Sequence, residues 1–239
     1  MCIRDRSRAV AVTAISASLP ADERRAARAF TRSLGLAHVE VCTDELDRPE
    51  YVANDGNRCY HCKSALFDAL APIAALSGAQ IALGTNLDDL GEHRPGQAAA
   101  RQRGVIAPLV EAGLTKSDVR ALSRELGLVT ADKPAAACLS SRIAYGDAVT
   151  PEVLHRVERA EQAVRSFGFS GGRVRAHANG TVARIELAEA DLVRALEIRG
   201  PLTAAIRDIG FLFVSLDLAG FRSGSMNALL SLSPTRRAG

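Results

Sequence analysis

Short apolar runs alternate with amphipathic stretches through the first half of the chain. The runs at residues 8–15, 38–42 and 80–84 are short, apolar and rich in Val, Ile or Ala, which favours buried strands. Residues 20–34 and 63–76 repeat apolar side chains at helical spacing, and a turn residue follows each stretch. Strands that alternate with helices in this way predict a parallel sheet covered by helices, which is an α/β fold.

The pattern changes in the second half of the chain. A long amphipathic helix is predicted at 151–167, and the following strands are predicted at 173–177, 181–187 and 211–217. Strands in close succession after a helix are typical of an α+β unit. The sequence therefore predicts two domains, an α/β domain at 1–147 and a smaller α+β domain at 148–239.

Composition narrows the classes of partner. The chain has 239 residues, and its 30 basic against 27 acidic side chains give a formal net charge of +3. That charge is too small to indicate a nucleic-acid partner, and a 4% aromatic content without Trp disfavours a base-stacking surface. No apolar run is long enough to predict a membrane-spanning helix. We expect a small-molecule partner, with neither nucleic acid nor membrane.

Five cysteines are the most conspicuous candidates for chemistry. An odd count without a secretory signal predicts a reducing cytoplasm, where clustered cysteines usually serve a metal or catalysis. Cys59 and Cys62 form a CxxC at the start of a predicted helix, and Cys138 lies far along the chain. Three such thiolates suit a [4Fe–4S] cluster with one open iron, and a zinc site or inert thiols are the alternatives. Cys42 is predicted in the core of a strand.

Polar residues follow the third predicted strand. Gly84, Asn86 and Asp88 come directly after it, and Arg94 lies close behind. The carboxyl ends of the strands are where α/β folds bind nucleotides, so these residues are candidates for a nucleotide site. A plain polar loop is the alternative.

The second candidate site is suited to an anion. Ser141 and Arg142 follow Cys138 after a run of small residues, which leave room for a ligand to approach. Arg173 and Arg175 alternate on a predicted strand, so both guanidinium groups leave the same face and together suit a phosphate. A solvated strand face is the alternative. Residues 220–227 form a Gly/Ser loop that offers a further anion contact.

These segments together resemble a known family. The runs RCYHCK, GTNLDDLGEHRPG, KPAAACLSSRIAYG and LDLAGFRSGSMN, in this order, are similar to the LarE sulfur transferases. These belong to the PP-loop superfamily, the N-type ATP pyrophosphatases with an adenine nucleotide alpha hydrolase-like fold. The resemblance implies that ATP with Mg²⁺ adenylates a pyridinium-3,5-biscarboxylate mononucleotide. Sulfur then replaces AMP to give a thiocarboxylate for the nickel-pincer cofactor of lactate racemase.

The resemblance also assigns roles to residues. Cys138 matches the family's sulfur-donating cysteine, and its combination with Cys59 and Cys62 resembles the subgroup that holds a [4Fe–4S] cluster on three cysteines. It implies that the substrate phosphate is held by Ser141, Arg173 and Arg175, with Glu161 nearby. We also expect a homo-oligomer.

One family feature is missing from the sequence. The family's SGGxDS phosphate-binding loop has no counterpart, which predicts an N-terminally truncated domain without its first strand, a short foreign leader at residues 1–6 and weak ATP binding. Two further readings stay open. One is another PP-loop enzyme, NAD synthetase-like or tRNA-thiolating. The other is a non-catalytic iron–sulfur or zinc protein that has lost its ATP site.

Overall fold

The computed structural model describes residues 9–90, 95–134, 136–222, 224–227 and 229. Contacts divide the chain into unit 1, residues 1–51 and 57–136, and unit 2, residues 52–56 and 137–239. The division therefore falls after Ala136, earlier than the predicted boundary at 147/148. Its physical reason is that residues 139–149 pair with unit 2, where Ile143 bridges Ala176 and Val149 bonds Val52.

Unit 1 contains the predicted parallel strands. Strands β1 (Val10–Ile15) and β2 (Ala37–Cys42) pair in parallel from Val10↔Ala37 to Ile15↔Cys42, and helix α1 (Ala21–Ser33) connects them. The remaining helices in and next to this unit are α2 (Pro49–Val52), α3 (Arg58–Ser77), α4 (Pro95–Gln102), α5 (Pro108–Glu111) and α6 (Lys116–Glu125). The α/β class with a parallel sheet is confirmed.

Two details of unit 1 differ from the sequence predictions. The run at residues 80–84 does not form an assigned strand, because its backbone makes only an isolated parallel bridge, Ala82↔Ile106. Cys42 is exposed rather than buried in the core, since it is the last residue of β2. The alternation of apolar and polar residues could not predict this exposure, because the last residue of a strand can lie beyond the part of the sheet that helices cover.

Unit 2 is built on a three-stranded sheet. Helix α7 (Pro151–Ser166) precedes strands β3 (Arg173–His177) and β4 (Val182–Glu186), and helices α8 (Leu192–Glu197) and α9 (Arg199–Asp208) precede strand β5 (Phe213–Leu216). The strand order is β3-β4-β5, antiparallel for the first pair and parallel for the second. The predicted helix and strands of this half are confirmed.

The two faces of this sheet differ in polarity. Val174, Ala176, Ala183 and Ile185 alternate along β3 and β4 and are buried, with α7 packed on the sheet. The buried positions of α7 include Leu154, Val157, Ala160 and Val164, spaced three or four residues apart. This apolar layer is the core of unit 2, and it leaves the opposite face to charged side chains.

A short segment upstream in the chain stabilises unit 2. Asn54 is fully buried, and its side-chain amide donates hydrogen bonds to the carbonyl oxygens of Ala144 (2.8 Å) and Asp147 (2.9 Å). Its backbone is left-handed, with φ of 53°, and its carbonyl accepts from Gly146. Asn tolerates this conformation better than most residues. Asn54 therefore fits the left-handed backbone, and its amide also donates to the carbonyl groups of the loop at 143–147.

We predict that Asn54→Ala lowers the free energy of unfolding by about 2–4 kcal/mol, because buried carbonyl groups lose their donors. Chemical denaturation monitored by circular dichroism measures it. Asn179→Ala is the matched control, since Asn179 has the same φ of 53° on an exposed turn. An equal loss in both variants would show that the backbone conformation, and not the buried amide, carries the effect.

Candidate functional site

Cys138 lies on an ordered turn of unit 2. It is exposed with a free thiol, and it caps the 3-10 turn Leu139–Arg142. Its carbonyl oxygen accepts hydrogen bonds from the Ser141 hydroxyl (2.7 Å) and the Ser141 backbone N–H (3.1 Å). The backbone at Cys138 is therefore held in place while the thiol stays accessible.

A buried arginine supports the same turn. Arg142 Nη1 donates to the carbonyl oxygens of Ala137 (2.9 Å) and Cys138 (3.2 Å), and Arg142 Nε donates to Glu161 Oε1 (2.9 Å). Both charged side chains are about 95% buried, at 4% and 5% exposure. Glu161 also accepts the backbone N–H of Val174 (3.3 Å). The predicted anion-site residues Arg142 and Glu161 thus pair with each other and connect the Cys138 turn to β3.

The polar face of the unit 2 sheet, here called the arginine face, carries Arg173, Arg175 and Arg184. Between the last two lies Glu186, which is completely buried. Arg175 contacts Glu186 Oε2 through Nε (2.9 Å) and Nη2 (2.8 Å), and Arg184 Nη2 lies 3.1 Å from Oε1. The Ser225 hydroxyl donates to Oε1 (2.8 Å). One carboxylate therefore offsets the repulsion between two arginines that oppose each other in the strand register.

Arg184 is bound on its other side as well. Its Nη1 lies 2.6 Å from Asp217 Oδ2, and its Nε donates to His177 Nε2 (3.2 Å). Burial, and then the charge of Arg184, lower the pKa of His177. Both Arg175 and Arg184 are thus committed to protein partners, and Arg175 Nη1 donates in addition to the Ser141 carbonyl (3.1 Å).

Arg173 is different from its neighbours. Among the described residues, no carboxylate forms an ion pair with it, and its Nη1 donates only to the carbonyls of Gly171 (3.1 Å) and Gly172 (3.3 Å). Burial, followed by the positive charge of Arg142, lowers the pKa of Arg173. A half-buried guanidinium without a counter-ion in the described chain is the side chain that an anionic ligand would stabilise.

The predicted nucleotide residues of unit 1 make contacts within their own loop and with the start of α6. Asp88 Oδ2 accepts the backbone N–H of Lys116 (2.5 Å), at the first turn of α6, and Asn86 Oδ1 accepts the N–H of Asp88 (3.1 Å). Gly84 is exposed at the end of the bridged segment. Arg94 lies outside the described residues. The loop is ordered by these contacts, and its role in nucleotide binding stays a prediction.

The CxxC lies in the first turns of α3. Cys59 is exposed, Cys62 is partly buried, and neither forms a disulfide. Their three-residue spacing puts them on the same side of the helix. Gly96 packs against this turn, since a Cβ there would lie 3.1 Å from the Cys59 carbonyl oxygen. Within either unit, the described residues hold no group of three or more His, Cys, Asp or Glu suited to a metal ion. Cys59 and Cys62 belong to unit 1 and Cys138 belongs to unit 2, so a cluster on these three cysteines stays a prediction.

Sequence reasoning missed two residues that organise the arginine face. Arg184 and Glu186 were inside a predicted strand but received no role. The signal was available, because they alternate in VARIE and therefore point to the same face as each other. What the sequence did not contain is the register, which sets Arg175 opposite Arg184 and Glu186 opposite Arg173. Nor did it show that the Glu186 carboxylate turns to Arg175 and Arg184.

Comparisons with known proteins place this architecture. No family model matches the chain. It is 44% identical over 226 residues to an uncharacterised protein of Synechocystis sp., covering 93% of this chain and 84% of that protein. It is 37% identical over 227 residues to the pyridinium-3,5-bisthiocarboxylic acid mononucleotide synthase of Lactiplantibacillus plantarum, covering 95% of this chain and 82% of that protein. An uncharacterised protein of Methanocaldococcus jannaschii is 28% identical over 173 residues, 72% of this chain and 67% of its own length.

The fold and the site define an α/β protein that presents a free cysteine beside an arginine-rich sheet face. The alignment with the Lactiplantibacillus synthase covers nearly the whole chain and narrows this class of protein to one family. The chain belongs to the LarE family of sulfur transferases, and the sequence prediction of that family is confirmed. In the described residues no helix has the length and apolar character to cross a membrane.

We predict that Arg142→Gln lowers the free energy of unfolding by about 3–5 kcal/mol, because it leaves the Glu161 carboxylate buried without a counter-ion. The double variant Arg142→Gln with Glu161→Gln restores much of that loss, since it removes both charges. Chemical denaturation of the two single variants and the double variant gives the coupling free energy. If the stability losses of the two single variants simply add in the double variant, Arg142 and Glu161 do not stabilise each other, which would contradict this ion pair.

Proposed function

We propose that this chain is an ATP-dependent sulfur transferase that converts pyridinium-3,5-biscarboxylate mononucleotide into its thiocarboxylate. In this reaction a ring carboxylate oxygen attacks the α-phosphorus of ATP, and pyrophosphate leaves. A sulfur nucleophile then attacks the acyl carbon of the adenylate, and AMP leaves. The observation that carries the proposal is the 37% identity, over 95% of this chain, to the pyridinium-3,5-bisthiocarboxylic acid mononucleotide synthase of Lactiplantibacillus plantarum.

Unit 2 supports the recognition of a mononucleotide. Arg173 is the cation of the arginine face that lacks a carboxylate partner among the described residues, and Ser141 lies on the turn that Arg175 contacts. We assign Arg173 to the substrate phosphate. Ser141 joins it as a further donor once its hydroxyl exchanges the hydrogen bond that it gives to the Cys138 carbonyl (2.7 Å) for one to the phosphate. Arg175 donates to the Ser141 carbonyl and to Glu186. It therefore adds positive charge to the phosphate site without a direct hydrogen bond to the phosphate.

Cys138 is the proposed sulfur donor. Its thiolate attacks the acyl carbon and forms a thioester as AMP leaves. Loss of the proton on its Cα then breaks the Cβ–S bond, which releases the thiocarboxylate and leaves dehydroalanine. The exposed thiol of Cys138 supports this role because the sulfur is accessible. Hydrogen bonds from Ser141 and Arg142 to the Cys138 carbonyl hold the backbone in place.

A [4Fe–4S] cluster on Cys59, Cys62 and Cys138 is proposed as the alternative sulfur source. The donor set fits, since none of the three cysteines forms a disulfide and two of them lie one turn apart on α3. When bound, such a cluster supplies an exchangeable sulfide at its open iron. In that case Cys138 acts as a ligand and keeps its own sulfur, so peptide mass spectrometry after turnover distinguishes the two sources.

ATP with Mg²⁺ is assigned to unit 1, in a PP-loop-type domain. β1 and β2 are parallel and end together at Ile15 and Cys42, so the loops after them share an edge with each other. A homo-oligomer in the cytoplasm completes the proposal. The readings as another PP-loop enzyme or as a non-catalytic metal protein receive no specific support.

The assay for this function is the formation of thiocarboxylate from the mononucleotide and ATP, followed by mass spectrometry. We predict that Arg173→Gln raises KM for the mononucleotide about 10- to 100-fold, the value of a charge-assisted phosphate contact, while kcat changes little. Arg199→Gln is the control, because Arg199 is exposed on α9 and, within the described chain, its side chain donates only to the Leu196 carbonyl. A wild-type chain that forms no thiocarboxylate even at saturating ATP would contradict the function itself.

The cysteine assignment has its own test, anaerobic reconstitution with iron and sulfide. We predict that Cys59→Ser, Cys62→Ser and Cys138→Ser each abolish the iron–sulfur absorption band, because each removes one of three ligands. Cys42→Ser is the matched control, as Cys42 is an exposed free thiol of the same chain. A band that survives in Cys138→Ser would leave Cys138 as a sacrificial donor without a cluster role.

A further inference from the structure

The described part of unit 2 contains three contacts between an arginine and a phenylalanine ring. In two of them the ring belongs to the core, because Phe169 and Phe211 are 0% and 2% exposed. All three arginines donate to nearby backbone carbonyls, so the burial of the ring is what distinguishes these two contacts. These two contacts are explained by packing.

The third contact does not follow that pattern. Arg173 Cζ lies 5.5 Å from the centre of the Phe221 ring, and Phe221 is 43% exposed. An exposed ring contributes little to a core, so burial does not account for its place. What the ring does contact is the cation of the arginine face that lacks a carboxylate partner among the described residues.

The backbone is built to bring this ring onto the sheet. Gly220 has φ of +67°, and a Cβ there would lie 2.9 Å from the Leu187 carbonyl oxygen, so a side chain is excluded for two reasons. The next residue, Phe221, donates its N–H to that same oxygen at 2.7 Å. The position of the ring is therefore set by a fixed backbone contact with the end of β4, and not by a free loop.

A ring contact suits a guanidinium that must bind an anion. The attraction between a cation and an aromatic face uses none of the N–H donors of the arginine. A carboxylate in the same place would occupy those donors and neutralise the charge. The ring thus restrains the side chain while its charge and its donors stay available.

We propose that Phe221 is a positioning residue of the substrate-phosphate site, where its ring orients the Arg173 guanidinium. The inference rests on the proposed function, since it takes the phosphate of the mononucleotide as the anion. It assigns Phe221 no contact with the reacting atoms.

Calorimetric titration of the mononucleotide into Phe221→Leu and Phe221→Tyr chains tests this role. We expect Phe221→Leu to weaken binding about 3- to 10-fold, because an aliphatic side chain has no π face, and Phe221→Tyr to bind within about 2-fold of wild type. Phe213→Leu is the matched control, since Phe213 is also exposed in this unit, at 56%. Thermal melts of all chains should coincide, which a merely structural role would not produce.

Three results would overturn the inference. Equal binding by the wild type and Phe221→Leu would show that the ring does not orient Arg173, while the proposed function would stand. Equal weakening in Phe221→Leu and Phe221→Tyr would show that an aromatic face at this position is not what orients Arg173. A wild-type chain that does not bind the mononucleotide would instead overturn the proposed substrate together with the role of Phe221.

Discussion

The buried carboxylate of Glu186 is the interaction on which the arginine face depends. Arg175 and Arg184 oppose each other across β3 and β4, and two guanidinium groups at that spacing repel. Glu186 lies between them with both oxygens occupied, by Arg175, Arg184 and Ser225. A carboxylate with 0% exposure is tolerable only with such partners. Because Glu186 and Asp217 serve Arg175 and Arg184, Arg173 remains with its charge unpaired among the described residues.

The same charge network reaches the cysteine turn. Arg142 pairs with Glu161 and holds the carbonyls at Ala137 and Cys138, and Arg175 holds the carbonyl of Ser141. The proposed anion site and the Cys138 turn are therefore parts of one ordered structure in unit 2. If Cys138 reacts as proposed, the backbone next to its thiol is fixed before the substrate arrives, so less ordering is needed at the moment of reaction.

Much of this could be predicted from the sequence, and the limits have physical reasons. Periodicity was sufficient for α7, β3 and β4, where one face is strongly apolar. It was insufficient at residues 80–84, since a short apolar run forms a strand only if a neighbour pairs along its length. The same holds for Cys42, whose exposure depends on where β2 ends. Residue type suggested Arg142 and Arg173 equally as anion ligands, but only the fold shows that Glu161 occupies Arg142 and leaves Arg173 without a carboxylate partner in the described chain.

The central claim is that Arg173 recognises the phosphate of the substrate. The most direct measurement compares the affinity of the wild type and Arg173→Gln for the pyridinium mononucleotide and for the corresponding nucleoside without phosphate. The account predicts that wild type prefers the mononucleotide by about 10-fold or more, in keeping with a charge-assisted contact, and that Arg173→Gln loses most of this preference. A preference that survives undiminished in Arg173→Gln, or is absent from the wild type, would contradict it.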